Sequence, residues 1–138
     1  MAKRVKEVMT SNPRSIDADK PVSHAAKMMK DENVGMAPVV EGERLVGALT
    51  DRDIVTRVVA EGKDPDSVTA REAASTQLVT VEPEQDLDEA LQVMAGNQVR
   101  RLPVVEDGRL VGVLAQADVA READDQKTGE VVEQISKP

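Results

Sequence analysis

Several residue types are missing from this chain, and their absence excludes whole classes of chemistry. The sequence has no cysteine, tryptophan, tyrosine or phenylalanine, and His24 is its single histidine. Without cysteine there is no disulfide and no thiolate nucleophile. One histidine lacks the companions that a transition-metal site or a Ser-His-Asp triad requires. We therefore expect no catalytic residues, no metal site and no enzyme activity.

Long apolar runs and a surplus of basic residues are missing as well. No stretch approaches a membrane span, and the basic N-terminus lacks the apolar run of a secretion signal, so we expect a cytoplasmic protein without a membrane partner. The net charge is -8, from 26 acidic and 18 basic residues, and no phenylalanine, tyrosine or tryptophan is available to stack on bases. Nucleic acid is therefore not an expected partner.

The chain does contain an internal sequence repeat. A shift of 65 positions, which places Lys6 on Arg71, aligns residues 6–54 (copy 1) with residues 71–119 (copy 2) without a gap. Identical residues recur at these pairs of positions: Glu7 and Glu72, Ala25 and Ala90, Met29 and Met94, Val34 and Val99, Pro38 and Pro103, Gly47 and Gly112, Asp53 and Asp118. Each copy is too small to bury its apolar face alone, so the two copies are expected to pack together around an aliphatic core.

The pattern within each copy predicts the order strand, helix, strand, strand, helix. Short β-branched stretches at 14–16 and 78–81 predict strands, and the passages 37–49 and 102–114 predict hairpins with glycine in the turn. Residues 51–60 predict a closing helix with one apolar side. Helical spacing of apolar residues predicts a helix between the first strand and the hairpin, at these positions: Val22, Ala25, Ala26 and Met29, and Leu87, Ala90, Leu91 and Met94.

The polar segment 61–68 is a plausible linker, because it contains glycine and proline. We therefore expect repeat 1 with its N-terminal segment and linker at 1–66, repeat 2 at 67–122 and a tail at 123–138. Val131, Val132 and Ile135 of the tail share roughly one helical face. The tail fits a short docked helix, a frayed terminus or a contact with another chain.

This order, together with the stretches "VMT", "PVV", "GRLVG" and "LTDRDIV", resembles the paired cystathionine β-synthase (CBS) domain family. The whole chain is similar to small stand-alone bacterial CBS pairs of the hypoxic-response type. The resemblance implies an α+β fold of two β-α-β-β-α repeats, packed about a pseudo-two-fold axis through their small sheets. It also implies a homodimer and adenosyl ligands in clefts between the repeats.

The stretch "TDRD" carries the first candidate site. Thr50 and Asp53 have the spacing of a helix N-cap and its third residue, so they can simply start a helix. The same helix end is expected to offer free N–H donors to a phosphate, with help from the Thr50 hydroxyl, while the Asp53 carboxylate accepts both hydrogen bonds of a ribose diol. The family's G-h-x-[ST]-x-x-D pattern is matched at Gly47, Thr50 and Asp53, and the two roles are compatible.

The resemblance extends this first site to further residues. Positions before the shared proline commonly reach the phosphate held by the other repeat, and here copy 2 has Arg100 and Arg101 where copy 1 has Gly35 and Met36. The alternative is that the two arginines are solvated or form intramolecular ion pairs. Five residues correspond to the family's adenine-flanking positions, although the apolar ones are individually more typical of core: Met9, Arg14, Ile16, Val34 and Pro38.

A second, weaker site is expected in copy 2. Asp118 is retained, but Ala115 replaces the hydroxyl residue and neither caps a helix well nor donates to phosphate. A nucleoside-like ligand or an empty cleft is therefore expected there. Its remaining candidate residues are Val79, Val81, Val99 and Pro103.

These observations predict a regulatory, ligand-sensing protein that needs no cofactor. AMP or ATP is the first expected ligand, with ADP, S-adenosylmethionine and NAD-type compounds as further possibilities because all share the adenosyl group. A change of conformation or oligomeric state would be read by a partner protein that the sequence does not identify. The alternative is a structural or interaction module that has the CBS fold without a ligand.

Overall fold

A computed structural model describes residues 3–122, which form two compact units. The central unit runs from Arg14 to Leu78, and the split unit joins the N-terminal segment up to Pro13 to the chain from Val79 onward. In chain order the elements are α1 (Val5–Val8), β1 (Thr10–Ser11), β2 (Ile16–Asp17), α2 (Val22–Glu32), β3 (Met36–Glu41), β4 (Arg44–Thr50), α3 (Asp51–Ile54) with a π-helical continuation (Val55–Val59), α4 (Ala70–Ala73), α5 (Leu87–Asn97), β5 (Arg101–Glu106), β6 (Arg109–Ala115) and α6 (Gln116–Glu122). The expected mixture of helices and strands is confirmed, and the predicted tail lies outside the described residues.

The central unit packs α2 against three strands. β2 pairs with β3 in parallel, and β3 pairs with β4 in antiparallel orientation across a turn in which Gly42 has a φ of +64°. The predicted helix face is confirmed, since Val22, Ala25 and Met29 are buried, with Ala26 half-buried beside them. These side chains join Val39 and other residues of the hairpin in one aliphatic core.

The split unit repeats the hairpin. β5 and β6 are antiparallel, and Asp107 and Gly108 both have positive φ in the turn, which matches the right-handed twist of the strands. The predicted strand at 78–81 is wrong in extent, because only a single bridge from Val81 to Val104 forms there. Its counterpart at 14–16 is also shifted, since the strand covers Ile16–Asp17.

The leading segments, residues 3–13 and 68–78, are exchanged between the two copies: each pairs with the hairpin of the other copy. Thr10 of copy 1 pairs with Val113 in β6 of copy 2, and Ser75 of copy 2 bridges to Ala48 in β4 of copy 1. Thr10 and Ser75 are equivalent under the shift of 65, as are Ala48 and Val113. The compact units therefore differ from the sequence copies, because each hairpin takes one edge partner from the other copy. The expected repeat ranges 1–66 and 67–122 stay predictions.

Glycine at the point of contact makes this exchange possible. A Cβ atom on Gly112 would lie 2.5 Å from the Met9 Sδ and 3.0 Å from the Thr10 carbonyl oxygen. The equivalent Gly47 faces the backbone of Ser75 at 3.2 Å. Glycine therefore permits the close approach of the leading segment to each hairpin, and a side chain at either position would push the neighbouring atoms apart.

A Gly112→Ala substitution is expected to lower the free energy of unfolding by about 1–3 kcal/mol, because the new methyl group overpacks this contact. The matched control is Gly96→Ala in α5, where a Cβ atom meets nothing within 4 Å. That change is expected to stabilise the protein by about 0.5–1 kcal/mol through helix propensity. Denaturant unfolding measures both, and equal effects of the two variants would contradict the close approach.

The closing helix of copy 1 departs from the predicted apolar face. Val58 is buried and Ile54 packs half-buried against the core, but Val55 and Val59 are 57% and 63% exposed. The helix widens after Ile54, where the Ala60 N–H donates to the Val55 oxygen at 2.8 Å. This i→i+5 bond changes the angular spacing of the side chains, so the predicted stripe does not remain on one face.

Among the described residues, no helix is long and apolar enough to cross a membrane.

Candidate functional site

Thr50 and Asp53 form a reciprocal cap where β4 passes into α3. The Asp53 N–H donates to the Thr50 Oγ1 at 3.0 Å, and the Thr50 N–H donates to the Asp53 Oδ2 at 3.0 Å. Asp53 is only 9% exposed and is the one buried charged residue among those described. The predicted cap is therefore confirmed, and it fixes the position of a carboxylate that is largely withdrawn from water.

Two residues that sequence reasoning missed also reach the Asp53 carboxylate. The Ser75 hydroxyl lies 3.4 Å from Oδ1 and 3.5 Å from Oδ2, and the Arg57 Nε lies 3.9 Å from Oδ1. Arg57 also donates to the carbonyl oxygens of Ala73 and Ala74, at 3.2 Å each. The i,i+4 spacing of Asp53 and Arg57 could have revealed that pair. Ser75 carried no such signal, since it arrives through the exchange of leading segments.

Backbone pairing holds Ser75 beside this site. The Ala48 N–H donates to the Ser75 oxygen at 3.0 Å, and the Ser75 N–H donates to the Ala48 oxygen at 2.9 Å. Gly47 lies underneath, with its virtual Cβ 3.1 Å from the Ala74 Cβ. Close packing against Ala74 and Ser75 thus explains why the G-h-x-[ST]-x-x-D pattern has glycine at this position.

The expectation of free N–H donors at the start of α3 is wrong. The Asp51 N–H donates to the Gly35 oxygen at 3.0 Å, the Arg52 N–H to the Asp51 Oδ1 at 2.8 Å, and the Asp53 N–H to Thr50. Local acceptors therefore occupy the donors that a phosphate would need. The Thr50 oxygen accepts a bond from Asp53, and its own O–H proton can still be donated to a ligand.

The equivalent site in the split unit has a different set of contacts. Ala115 is buried, and the Gln116 N–H donates to the Arg100 carbonyl oxygen at 2.8 Å. Asp118 is hydrogen-bonded to Arg121 one turn later on the exposed side of α6. Copy 2 has therefore replaced the reciprocal cap with an ion pair.

The position equivalent to Arg57 differs between the copies as well. It is occupied by Glu122, which pairs with Lys3 at 3.0 Å. This hydrogen bond, reinforced by the charge of Glu122, raises the pKa of the Lys3 ammonium. Arg57 therefore binds the segment 68–78 in the central unit, whereas an acidic residue, Glu122, occupies the equivalent position in the split unit.

The predicted adenine-flanking residues of the central unit divide into core and surface. Ile16 and Pro38 are buried, and Val34 packs half-buried against the core. Arg14 is exposed and its Nη1 donates to the Glu32 Oε1 at 2.7 Å. Their packing agrees with the core alternative, and their contact with a ligand stays a prediction.

The other predicted residues lie in the split unit. Met9 is half-buried against Gly112, Arg101 is half-buried at the start of β5, and Arg100 precedes it at the surface. The contact of Met9, Arg100 and Arg101 with a ligand at the Thr50–Asp53 cap stays a prediction. The second-site candidates are part of the split unit's interior or packed against it: Val79, Val81, Val99 and Pro103.

Within residues 3–122, no group of three or more His, Cys, Asp or Glu side chains is arranged to hold a metal ion, and His24 is exposed on α2. The split unit has an open cavity of about 230 Å³ lined by Arg4, Glu82, Glu84, Gln85, Asp86 and Glu89. A hydrogen bond from Lys6 lowers the pKa of Glu84, so part of this acidic charge is already balanced locally.

Comparison with known proteins places this geometry in context. The family model described as CBS domain matches residues 5–60 and 70–125, the two copies defined by the shift of 65. The chain is 43% identical to the CBS domain-containing protein YhcV of Bacillus subtilis over 116 residues, covering 84% of this chain and 82% of that protein.

Two solved structures share the fold. The crystal structure of Hypoxic Response Protein I with two coordinated zinc ions matches with a TM-score of 0.81 and 35% identity, over 88% of this chain and 100% of that one. The crystal structure of CBSX2 in complex with AMP matches with a TM-score of 0.74 and 24% identity, over 90% of this chain and 98% of that one.

Proposed function

Because this chain belongs to the CBS domain family and carries two CBS domains, we propose that it is a regulatory module that senses an adenine nucleotide, AMP or ATP first. The ligand binds mainly at the Thr50–Asp53 cap, and binding shifts the conformation or the oligomeric state. The module has no catalytic role of its own, in keeping with CBS pairs, which are generally regulatory and non-catalytic.

The observation that carries the proposal is the fixed carboxylate of Asp53. A carboxylate accepts hydrogen bonds and donates none, so it matches the two donors of a ribose diol. The cap with Thr50 holds its orientation before any ligand arrives, which reduces the entropy lost on binding. Burial strengthens each hydrogen bond to the carboxylate relative to water.

Fewer protein groups are available to the phosphate of the ligand than to its ribose. Local acceptors already occupy the first N–H donors of α3, so the phosphate depends on the Thr50 hydroxyl and on cations supplied from elsewhere. Arg100 and Arg101 fill that role in the proposal. AMP binding by CBSX2 supports an adenosyl ligand through the shared fold alone. ADP and S-adenosylmethionine remain within the proposal because they carry the same diol.

A ligand-free interaction module is the second candidate function. It is favoured by the occupied donors of α3 and by the Asp118–Arg121 pair in copy 2, both of which leave fewer polar groups for a ligand. In either candidate the chain acts as a homodimer and is read by a protein partner. The exposed Val55 and Val59 provide apolar surface for such a contact.

A pair of threonine substitutions separates the two roles of the cap. Thr69 caps α4 with the same geometry, its Oγ1 accepting from the Glu72 N–H at 3.2 Å. Thr50→Ala and Thr69→Ala are each expected to lower the free energy of unfolding by about 1 kcal/mol. Only Thr50→Ala is expected to weaken AMP binding, by roughly tenfold, because only Thr50 donates to the phosphate.

Denaturant unfolding gives the stability terms, and titration calorimetry gives the affinities. If both variants bind AMP as tightly as the unmodified protein, Thr50 is a helix cap and nothing more. If no adenosyl compound binds the unmodified protein, the interaction module replaces the proposed function.

A further inference from the structure

We propose that the Ser75 hydroxyl competes with a bound ribose diol for the Asp53 carboxylate. Ligand binding then displaces this hydroxyl and weakens the backbone pairing between the exchanged segment 68–78 and β4. The inference rests on the proposed function, since it concerns how a diol ligand at Asp53 is sensed. Its starting point is that the Ser75 hydroxyl faces both oxygens of one buried carboxylate, at 3.4 and 3.5 Å.

The Ser75 hydroxyl and a ribose diol compete for the same two carboxylate oxygens. A ribose diol needs both oxygens of Asp53, and the Thr50 N–H already occupies one direction at Oδ2. The Ser75 hydroxyl lies close to the same two atoms. Its contacts are longer than a strong O–H···O bond, so a ligand displaces them readily.

The displaced hydroxyl belongs to a segment whose backbone is held by several hydrogen bonds. Ser75 is joined to Ala48 by two backbone hydrogen bonds, and a Cβ atom added to Gly47 would lie 3.1 Å from the Ala74 Cβ. Arg57 holds the carbonyl oxygens of Ala73 and Ala74 from the helix that also carries Asp53. The chain leaves the central unit three residues later, after Leu78. A change at Asp53 therefore reaches the segment 68–78, the last segment of the central unit.

The same arrangement is not repeated in the split unit. Thr10 occupies the place of Ser75 but is exposed in β1, and Glu122 occupies the place of Arg57. The central unit combines the reciprocal cap, the Ser75 hydroxyl and the Arg57 contacts. The sensing role of the segment accordingly belongs to the unit that contains Thr50 and Asp53.

Affinity measurements on Ser75→Ala test the competition. Removing the hydroxyl is expected to tighten AMP binding roughly twofold to fivefold, the worth of one weak hydrogen bond. For 2′-deoxy-AMP, which keeps a single ribose hydroxyl and can share the carboxylate, the gain is expected to disappear. Thr10→Ala is the matched control and is expected to leave both affinities unchanged.

Hydrogen exchange measures the transmission step in the same proteins. AMP is expected to speed exchange of the Ser75 and Ala48 amides in the unmodified protein, and this effect is expected to be lost in Ser75→Ala. Unchanged or weaker AMP binding by Ser75→Ala, with binding intact in the unmodified protein, overturns this inference and leaves the proposed function standing. Absence of AMP binding in both proteins overturns the proposed function and this inference with it.

Discussion

Replacing Asp53 with alanine is expected to weaken AMP binding at least about 100-fold. The ribose diol loses two hydrogen bonds to a charged acceptor, each contributing about 1.5–3 kcal/mol. The loss is large because Asp53 is buried and oriented by its cap, so water compensates poorly for the missing carboxylate. Titration calorimetry measures the change directly.

The control for this variant is Asp118→Ala, the equivalent change in copy 2. Asp118 is already paired with Arg121 and lacks a capping threonine, so its removal is expected to change AMP affinity less than about twofold. Asp53→Ala also removes half of a capping box, at a cost of about 1 kcal/mol in unfolding free energy. Thermal unfolding of the ligand-free variant therefore has to show that it is still folded. Equal losses of affinity in the two variants would contradict a site confined to copy 1.

The largest losses of stability are expected from Leu49→Ala and Leu114→Ala. These residues are equivalent under the shift of 65, and both are fully buried, one in the core of each unit. Each truncation leaves a cavity among aliphatic neighbours and is expected to lower the free energy of unfolding by about 2–5 kcal/mol. Urea unfolding followed by circular dichroism measures the change.

An exposed aliphatic residue gives the matched control for these truncations. Val59 lies in the π-helical continuation and is 63% exposed, so Val59→Ala is expected to change the free energy of unfolding by less than about 0.5 kcal/mol. If Leu49→Ala is as mild as Val59→Ala while Leu114→Ala is severe, the central unit lacks the independent aliphatic core described for it.

Sequence patterns anticipated the features that depend on neighbouring residues. The buried faces of α2 and α5, both hairpins and the Thr50–Asp53 cap all follow from local spacing, and the structure contains each of them. Periodicity reports which face of an element is apolar, and a cap needs only residues three apart. The repeat itself was visible because the two copies align without a gap.

The features that were missed depend on contacts between distant parts of the chain. Spacing does not say which hairpin edge a leading segment joins, so the exchange that brings Ser75 to Asp53 had no local signal. The π-helical turn that exposes Val55 was also hidden, because its apolar residues fit an α-helical stripe equally well. The N–H donors of α3 were expected to be free, because local spacing does not show that the Gly35 oxygen accepts from Asp51 or that the Asp51 carboxylate accepts from Arg52.

One titration tests the central claim, that a single copy retains an adenosyl site. Purified protein is titrated with AMP in a calorimeter, and the stoichiometry is compared with that of Asp53→Ala. The account predicts one AMP per chain for the unmodified protein and no measurable binding for the variant. Two AMP molecules per chain, or no heat with AMP, ADP, ATP and S-adenosylmethionine together with an unchanged melting temperature, would contradict it.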